Sequence, residues 1–216
     1  MEPKMAKLHF FYSVMNAGKT THLLQAHFNY KQNYIRPLLF TSAVDNRAGV
    51  GVISSRIGLS ESARALSHDD NLFSIVKAEH LQNPVGAVLM DEVQFMTPEH
   101  MHQASDVADE LDIPVMAYGL KNNVFGKLFS DSVVTLLALA DQITEIKQLC
   151  HCGRKATMIL RFDLDGAVAR SGPVVEVGGE SRYVSVCRKH HKEGDIGSRC
   201  RDMLAALMED QYAKAG

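Results

Sequence analysis

The stretch that most constrains how this chain folds is SVMNAGKT, which occupies residues 13–20. A strand pattern rich in aromatic residues precedes it over residues 7–12, and a helix pattern follows it over residues 19–31. A Gly-Lys-Thr ending between a strand and a helix is typical of a phosphate-binding loop. Ser13 stands where such a loop ordinarily begins with glycine, and the alternative is an incidental Gly-Lys pair at a helix start.

A phosphate-binding loop works mainly through its backbone, because the N–H groups of the turn and of the helix start bind phosphate oxygens. We expect Lys19 to reach the terminal phosphates and Thr20 to offer its hydroxyl to Mg²⁺. The predicted phosphate-binding residues are Ser13, Val14, Met15, Asn16, Ala17, Gly18, Lys19 and Thr20.

Two acids, Asp91 and Glu92, directly follow the apolar run at residues 85–90. Such a run is typical of a strand buried on both faces of a parallel sheet. In phosphate-loop proteins, an acid at the end of a neighbouring strand organises the metal. We therefore predict that Asp91 holds Mg²⁺ and that Glu92 takes a proton from an attacking hydroxyl. The alternative is a pair of acids that only solvates the strand end.

Strand and helix patterns alternate over the first two-thirds of the chain, which predicts an α/β fold with a parallel sheet flanked by helices. Residues 43–62 lack clean periodicity, so we expect a long loop there, carrying Arg47 and Arg56 as weaker phosphate-binding candidates.

From residue 150 the patterns become short β segments. The predicted divisions are a nucleotide-binding domain over 1–149, a zinc-binding domain over 150–193, and a C-terminal helix or tail over 194–216.

Two close pairs of metal-binding side chains bracket the β-rich segment, namely Cys150 with Cys152 and Cys187 with His190. Three cysteines and one histidine make a closed tetrahedral site for structural Zn²⁺. Because His151 and His191 adjoin these residues, spacing alone leaves the choice of histidine open. The alternative is a set of core thiols with surface histidines. Cys200 stands outside the set.

The composition excludes several other classes of protein. The formal net charge is −2 and charged residues make up 22% of the chain, so no dominant nucleic-acid-binding surface is indicated. No apolar run approaches the length of a membrane span, and the N-terminus does not resemble a secretory signal. We therefore expect a cytoplasmic protein, in which cysteines serve as thiols or metal ligands.

Together these segments resemble the type II thymidine kinases, and most closely the bacterial branch of that family. The resemblance is carried by FFYSVMNAGKTTHLLQ, SSRIGL, VLMDEVQF, LDIPVMAYGL, CHCGRKA and VGGESRYVSVCRKHH, in family order. It implies a phosphate-loop NTPase-like sheet and the transfer of the γ-phosphate of ATP to the 5′-hydroxyl of thymidine, and of deoxyuridine, in nucleoside salvage. It also implies feedback inhibition by dTTP and a homotetramer.

The resemblance also implies roles for individual residues. Asp91 falls at the Mg²⁺ position and Glu92 at the general base, with Val93 and Gln94 in the same site segment. The four proposed zinc ligands match those of the bacterial members, and the segment between them resembles a lasso that closes over the nucleoside. The residues implied to bind the nucleoside are Met15, Phe95, Leu120, Val124, Phe129, Val174, Val175, Glu176, Val177, Gly178 and Tyr183.

The chain departs from the family pattern at residues 121–129, which read KNNVFGKLF. Val124 stands where the family usually has an aromatic residue, and Asn123 and Lys127 replace acids. Loss of an aromatic ring against the base is expected to weaken stacking by about 0.5–1.5 kcal/mol. We therefore expect an effect on substrate affinity more than on the reaction.

A different function remains as an alternative, namely a phosphate-loop ATPase whose zinc ribbon acts on nucleic acid. It would need a basic stripe or stacking aromatic residues near the ribbon. The basic residues of the segment are instead interspersed with acids.

Overall fold

The computed structural model describes residues 5–45, 47, 49–163, 166–174, 182–198 and 200–202. Its strands are β1 (Leu8–Ser13), β2 (Pro37–Ser42), β3 (Val52–Ser54), β4 (Ser60–Ser62), β5 (Arg64–Leu66), β6 (Ala87–Met90), β7 (Val115–Leu120), β8 (Gln142–Glu145), β9 (Gln148–Leu149), β10 (Lys155–Ala156), β11 (Met158–Arg161) and β12 (Tyr183–Val186). Its helices are α1 (Lys19–Gln32), α2 (Leu72–Gln82), α3 (Pro98–Leu111), α4 (Asp131–Leu139) and α5 (Arg188–Glu193), with a 3-10 helix at Val93–Phe95.

Six of these strands form one sheet in the order β5-β2-β6-β7-β1-β8, and every neighbouring pair is parallel. The predicted α/β fold class is therefore confirmed. β1 ends where the SVMNAGKT stretch begins, and β6 ends immediately before Asp91. Because only β7 separates these two parallel strands, their carboxyl ends lie at the same edge of the sheet, where ligands of open α/β sheets bind.

Both faces of the sheet are buried, which explains why its central strands are continuously apolar. Phe10 and Met90 lie in a cluster that includes side chains of α2, α3 and α4. Leu89 and Tyr118 lie in a second cluster, which includes side chains of α1. Because successive side chains of a strand point to opposite faces, neighbours such as Leu89 and Met90 serve different clusters.

The expectation of a long loop over residues 43–62 is wrong. The stretch predicted as a long loop contains an antiparallel hairpin, β3 with β4, followed by the sheet strand β5. Ile53 of β3 is almost wholly buried between two less buried neighbours. One buried side chain in a three-residue strand gives too weak a periodicity to detect.

The described chain divides into two compact units. The first comprises residues up to 13, 18–121 and 128–146, and it contains the six-stranded sheet. The second comprises residues 14–17, 122–127 and those from 147 onward, and it contains the pairs β9–β10 and β11–β12 together with α5. Within the described ranges, no helix is long and apolar enough to cross a membrane.

Candidate nucleotide site and metal cluster

The SVMNAGKT stretch has a loop conformation that its glycine permits. Gly18 has a φ of 82° and immediately precedes α1, and Asn16 has a φ of 60°. A Cβ atom added at Gly18 would meet nothing within 4 Å, so glycine is favoured there by backbone conformation and not by crowding. Ser13 is outside the left-handed region, and its hydroxyl donates to the Ile146 carbonyl. Serine therefore fits where the usual pattern has glycine.

Two side chains of the second unit hold the middle of this loop through its carbonyl groups. Ser185 Oγ donates to the Met15 carbonyl at 2.7 Å, and Gln148 Nε2 donates to the Asn16 carbonyl at 2.5 Å. Each donor lies more than 130 residues further along the chain than its acceptor, so no local sequence pattern predicts these bonds. These two bonds engage carbonyl groups of the loop and not its N–H groups.

Lys19 and Thr20 start α1 within the first unit. Lys19 is 8% exposed, and burial lowers the pKa of its ammonium group, although the nearby carboxylates of Glu92 and Asp91 oppose that effect. Thr20 Oγ1 donates to Asp91 Oδ2 at 3.0 Å. The structure thus brings the hydroxyl and the carboxylate that were both predicted to serve Mg²⁺ into direct contact.

Asp91 is a buried carboxyl group with an unusual pKa. It is 3% exposed, and burial together with the neighbouring charge of Glu92 raises its pKa to about 7. The hydrogen bond from Thr20 and the nearby ammonium of Lys19 act in the opposite direction. A bound cation would favour the ionised form, since oxygen ligands of hard cations bind as carboxylates.

Glu92 adopts a left-handed backbone conformation, with φ 53° and ψ 38°, which is uncommon for a residue other than glycine. Its carboxylate receives two donors from different parts of the first unit. Arg47 Nη2 lies 2.5 Å from Glu92 Oε1, and Gln94 Nε2 donates to Glu92 Oε2. Strained conformations of this kind cluster at functional sites.

The remaining predicted phosphate-side residues also lie in the first unit. Arg47 is shared between Glu92 and Asp45, whose Oδ1 lies 2.6 Å from Arg47 Nε. The charge of Arg56 acts on Lys19, so this guanidinium also lies in the surroundings of the site. Val93 is wholly buried, and its carbonyl accepts a hydrogen bond from Ser132 Oγ at 3.0 Å.

The residues implied to bind the nucleoside belong to both units. In the first unit, Phe95 packs edge-on against Phe129 with ring centroids 5.5 Å apart, and Leu120 ends β7. In the second unit, the Val124 carbonyl accepts from His191 Nε2 at 2.9 Å, and Tyr183 begins β12. Two further members, also in the second unit, are Met15 and Val174. The four at 175–178 lie outside the described residues.

The predicted metal cluster forms within the second unit. The sulfur atoms of Cys150, Cys152 and Cys187 and a nitrogen of His190 all lie within 4.8 Å of one another. Cys150 Sγ is 3.3 Å from His190 Nδ1, and Cys152 Sγ is 4.0 Å from Cys187 Sγ. The neighbouring His191 is instead hydrogen-bonded to a backbone carbonyl. The geometry therefore selects His190 over His191.

These distances fit a tetrahedral zinc site. Zinc bonds of about 2.0–2.3 Å place neighbouring ligand atoms roughly 3.5–3.8 Å apart, which the two measured distances bracket. The backbone N–H of His190 lowers the pKa of the Cys187 thiol, whereas burial raises the pKa of Cys150. His151 stacks on the His190 ring with centroids 4.3 Å apart, but the four-residue cluster does not include it.

A buried lysine, a hydroxyl bonded to a carboxylate, and a second carboxylate lie at the carboxyl edge of a parallel sheet. This arrangement is typical of nucleotide-binding phosphotransferases. The profile of the family described as "Thymidine kinase" matches residues 6–191. The chain belongs to the thymidine kinase family, and it is accordingly a kinase.

Individual relatives are similar over nearly their whole length. The thymidine kinase of Agrobacterium fabrum is 53% identical over 88% of this chain and 97% of its own. The thymidine kinase of Yersinia pseudotuberculosis is 48% identical over 91% of this chain and 100% of its own. The thymidine kinase of Escherichia coli O157:H7 is 48% identical over 95% of this chain and 98% of its own.

Proposed function

We propose that this chain transfers the γ-phosphate of ATP to the 5′-hydroxyl of thymidine, giving dTMP for DNA precursor synthesis, and that deoxyuridine is a second substrate. The observation that best supports this proposal is the hydrogen bond between Thr20 and Asp91, next to Glu92, in a chain that belongs to the thymidine kinase family. It supplies the groups that phosphoryl transfer requires, which are a metal-organising pair and a base.

In the proposed reaction, the loop at residues 13–20 binds the phosphates through its N–H groups, and Lys19 neutralises their charge. Thr20 and Asp91 would hold Mg²⁺, which would offset the negative charge that develops during transfer. Glu92 accepts the proton of the 5′-hydroxyl as the oxygen attacks the γ-phosphorus and ADP leaves. Arg47, Arg56, Val93 and Gln94 complete the phosphate side.

For the nucleoside, we propose apolar contacts with the base and main-chain hydrogen bonds to the thymine edge. The apolar contacts would come from Met15, Phe95, Leu120, Val124 and Phe129, and the hydrogen bonds from Val174, Val175, Glu176, Val177 and Gly178, with Tyr183 near the sugar. Main-chain recognition rejects cytosine because its donors and acceptors are mismatched. The support for these assignments is the family resemblance of the segments that carry them.

We further propose structural Zn²⁺ on Cys150, Cys152, Cys187 and His190, in a zinc-binding domain over residues 150–193 that follows the nucleotide-binding domain over 1–149. The close approach of the four ligand atoms supports the metal. Inhibition by dTTP, a homotetramer and a cytoplasmic location complete the proposal. The family resemblance supports the first two, and the gathering of three cysteines as thiols supports the third.

Turnover of thymidine with ATP tests the proposed function, with Glu92→Gln as the decisive variant. We expect the wild-type protein to make dTMP and Glu92→Gln to lose about 10²–10⁴-fold in kcat, the usual contribution of a general base. Equal turnover numbers would remove Glu92 from the proposed role. ATP hydrolysis stimulated by nucleic acid, without thymidine phosphorylation, would favour the ATPase alternative instead.

A further inference from the structure

We propose that Gln94 is a positioning residue that fixes the Glu92 carboxylate to the sheet, and that Gly119 supplies the space it needs. This inference rests on the proposed role of Glu92 as the general base. It adds a function to the place of Gln94 on the phosphate side, because both ends of its side-chain amide are engaged within the protein.

The Gln94 amide joins two fixed points of the first unit. Its Nε2 donates to Glu92 Oε2, and its Oε1 accepts the backbone N–H of Leu120 at 3.0 Å, at the end of β7. The side chain is 2% exposed, so water does not compete for these bonds. An amide offers a donor and an acceptor side by side, whereas an ionised carboxylate has no donor and a thioether has no donor and only a weak acceptor.

The backbone on which Gln94 stands is itself anchored. Ser132 Oγ donates to the Val93 carbonyl at 3.0 Å, and the Phe95 N–H donates to the Glu92 carbonyl at 3.0 Å. Glu92 therefore caps, and Gln94 lies in, a short 3-10 helix whose position is set by α4 and β7.

The second donor to Glu92 has a different character. The Arg47 side chain is 43% exposed, and it bonds Asp45 as well as Glu92. A half-exposed guanidinium on a loop constrains a carboxylate less than a buried amide bonded to a strand. We infer that Gln94 sets the direction of the Glu92 carboxylate, while Arg47 contributes charge.

Gly119 provides independent support, because it lies directly against the Gln94 side chain. A Cβ atom at Gly119 would come within 2.8 Å of Gln94 Oε1 and 2.7 Å of Val93 Cγ2. Its backbone is not in the left-handed region, so crowding alone explains the glycine. Adding a methyl group there would displace the amide from its place between β7 and Glu92.

The chain offers a matched control for Gln94. Gln103 is also buried, at 6% exposure, and its Oε1 accepts the Leu72 N–H at 2.7 Å while its Nε2 donates to Glu99 at 3.2 Å. It thus has the same two kinds of partner in a helix that carries none of the proposed catalytic groups. Methionine in either position keeps the approximate side-chain length, removes the donor and leaves only a weakly accepting sulfur.

The test compares Gln94→Met and Gly119→Ala with Gln103→Met, by steady-state kinetics with ATP and thymidine and by thermal melting. We expect kcat to fall roughly 10- to 100-fold in the first two variants, a part of what a general base contributes, with both KM values changed less than about threefold. Gln103→Met should lose similar thermal stability and keep the wild-type kcat. A purely structural role for Gln94 would make the two methionine variants kinetically alike, and that outcome overturns the inference.

Two further measurements separate this inference from the proposed function. If Glu92→Gln is inactive while Gln94→Met turns over normally, the base assignment stands and the positioning role is wrong. If the wild-type protein does not phosphorylate thymidine, the proposed function fails. Crystal structures of wild type and Gln94→Met would then test whether Gln94 fixes the position of the Glu92 carboxylate. An unmoved Glu92 carboxylate in Gln94→Met would then refute it, and a displaced one would support it.

Discussion

Thr20 Oγ1 donates a 3.0 Å hydrogen bond to Asp91 Oδ2, although 71 positions separate the two residues. The bond joins the first turn of α1 to the acidic end of β6, and both residues belong to the first unit. The pair therefore places a hydroxyl oxygen beside a carboxylate, and both are oxygen ligands of the kind that Mg²⁺ prefers.

Two substitutions at Thr20 should distinguish the contribution of its hydroxyl group from that of its methyl group. Thr20→Ser keeps the donor to Asp91, so we expect kcat/KM for ATP within about threefold of wild type. Thr20→Val keeps the shape and removes the donor. Since a hydrogen bond to a charged group contributes about 1.5–3 kcal/mol, kcat/KM should fall roughly 10- to 100-fold. Equal values for the two variants would show that the hydroxyl does not take part.

The raised pKa of Asp91 predicts how stability depends on pH without metal. Since burial lifts the folded-state pKa from 3.8 to about 7, the folded protein binds this proton more tightly than the unfolded chain. The contribution of this group is therefore fully present below about pH 4 and is lost as pH rises toward 7. Asp91→Asn should remove that loss, raising the melting temperature at pH 7 in EDTA while abolishing kinase activity.

Asp70 provides a control for this pH experiment, because its pKa is shifted in the direction opposite to that of Asp91. Hydrogen bonds from the Ser67 N–H and hydroxyl lower the pKa of Asp70. Its contribution is present above the unfolded pKa and is lost as pH falls through the lower folded value. Asp70→Asn should therefore reduce stability at pH 7. A melting temperature of Asp91→Asn that is also below wild type at pH 7 would contradict the assignment.

Ser185→Ala should affect nucleotide binding more than turnover. It removes the 2.7 Å hydrogen bond to the Met15 carbonyl and leaves that carbonyl without this donor. A neutral hydrogen bond contributes about 1 kcal/mol, so we expect the KM for ATP to rise roughly fivefold with kcat nearly unchanged. Ser105→Ala, which removes a 2.7 Å bond to the His102 carbonyl on α3, serves as the control. An unchanged KM in Ser185→Ala would show that the loop does not depend on this support.

Removal of zinc should destabilise the second unit. Wild-type protein is expected to contain about one zinc ion per chain, and Cys152→Ser should lose it, since a closed structural site needs all four ligands. Plasma emission spectrometry and melting temperature provide the measurements. Cys200→Ser, outside the four-residue cluster, should keep both values. Wild-type protein that is free of zinc and melts unchanged in chelator would contradict the metal assignment.

Local sequence pattern was sufficient for the elements around the nucleotide site. A strand, a Gly-Lys-Thr loop and an amphipathic helix are specified within 25 residues, and an apolar run ending in two acids identifies β6. The spacing of Cys150, Cys152, Cys187 and His190 likewise predicted a cluster that the structure forms. The hairpin of β3 and β4 escaped detection, because three-residue strands carry almost no periodicity.

What the sequence by itself determined is the chemistry available to this protein, namely a phosphate-binding loop, two carboxylates and a set of soft metal ligands. Only the tertiary structure decided which partner each of those groups has. It paired Thr20 with Asp91, set the Gln94 amide between Glu92 and the end of β7, and engaged His191 with a backbone carbonyl, leaving His190 to the cluster. The physical reason is that residue type and spacing determine the secondary-structure propensity of each segment and the donor and acceptor groups that its side chains supply. Hydrogen bonds between distant residues, and the desolvation that shifts the pKa of Asp91, exist only once the sheet has brought those residues together.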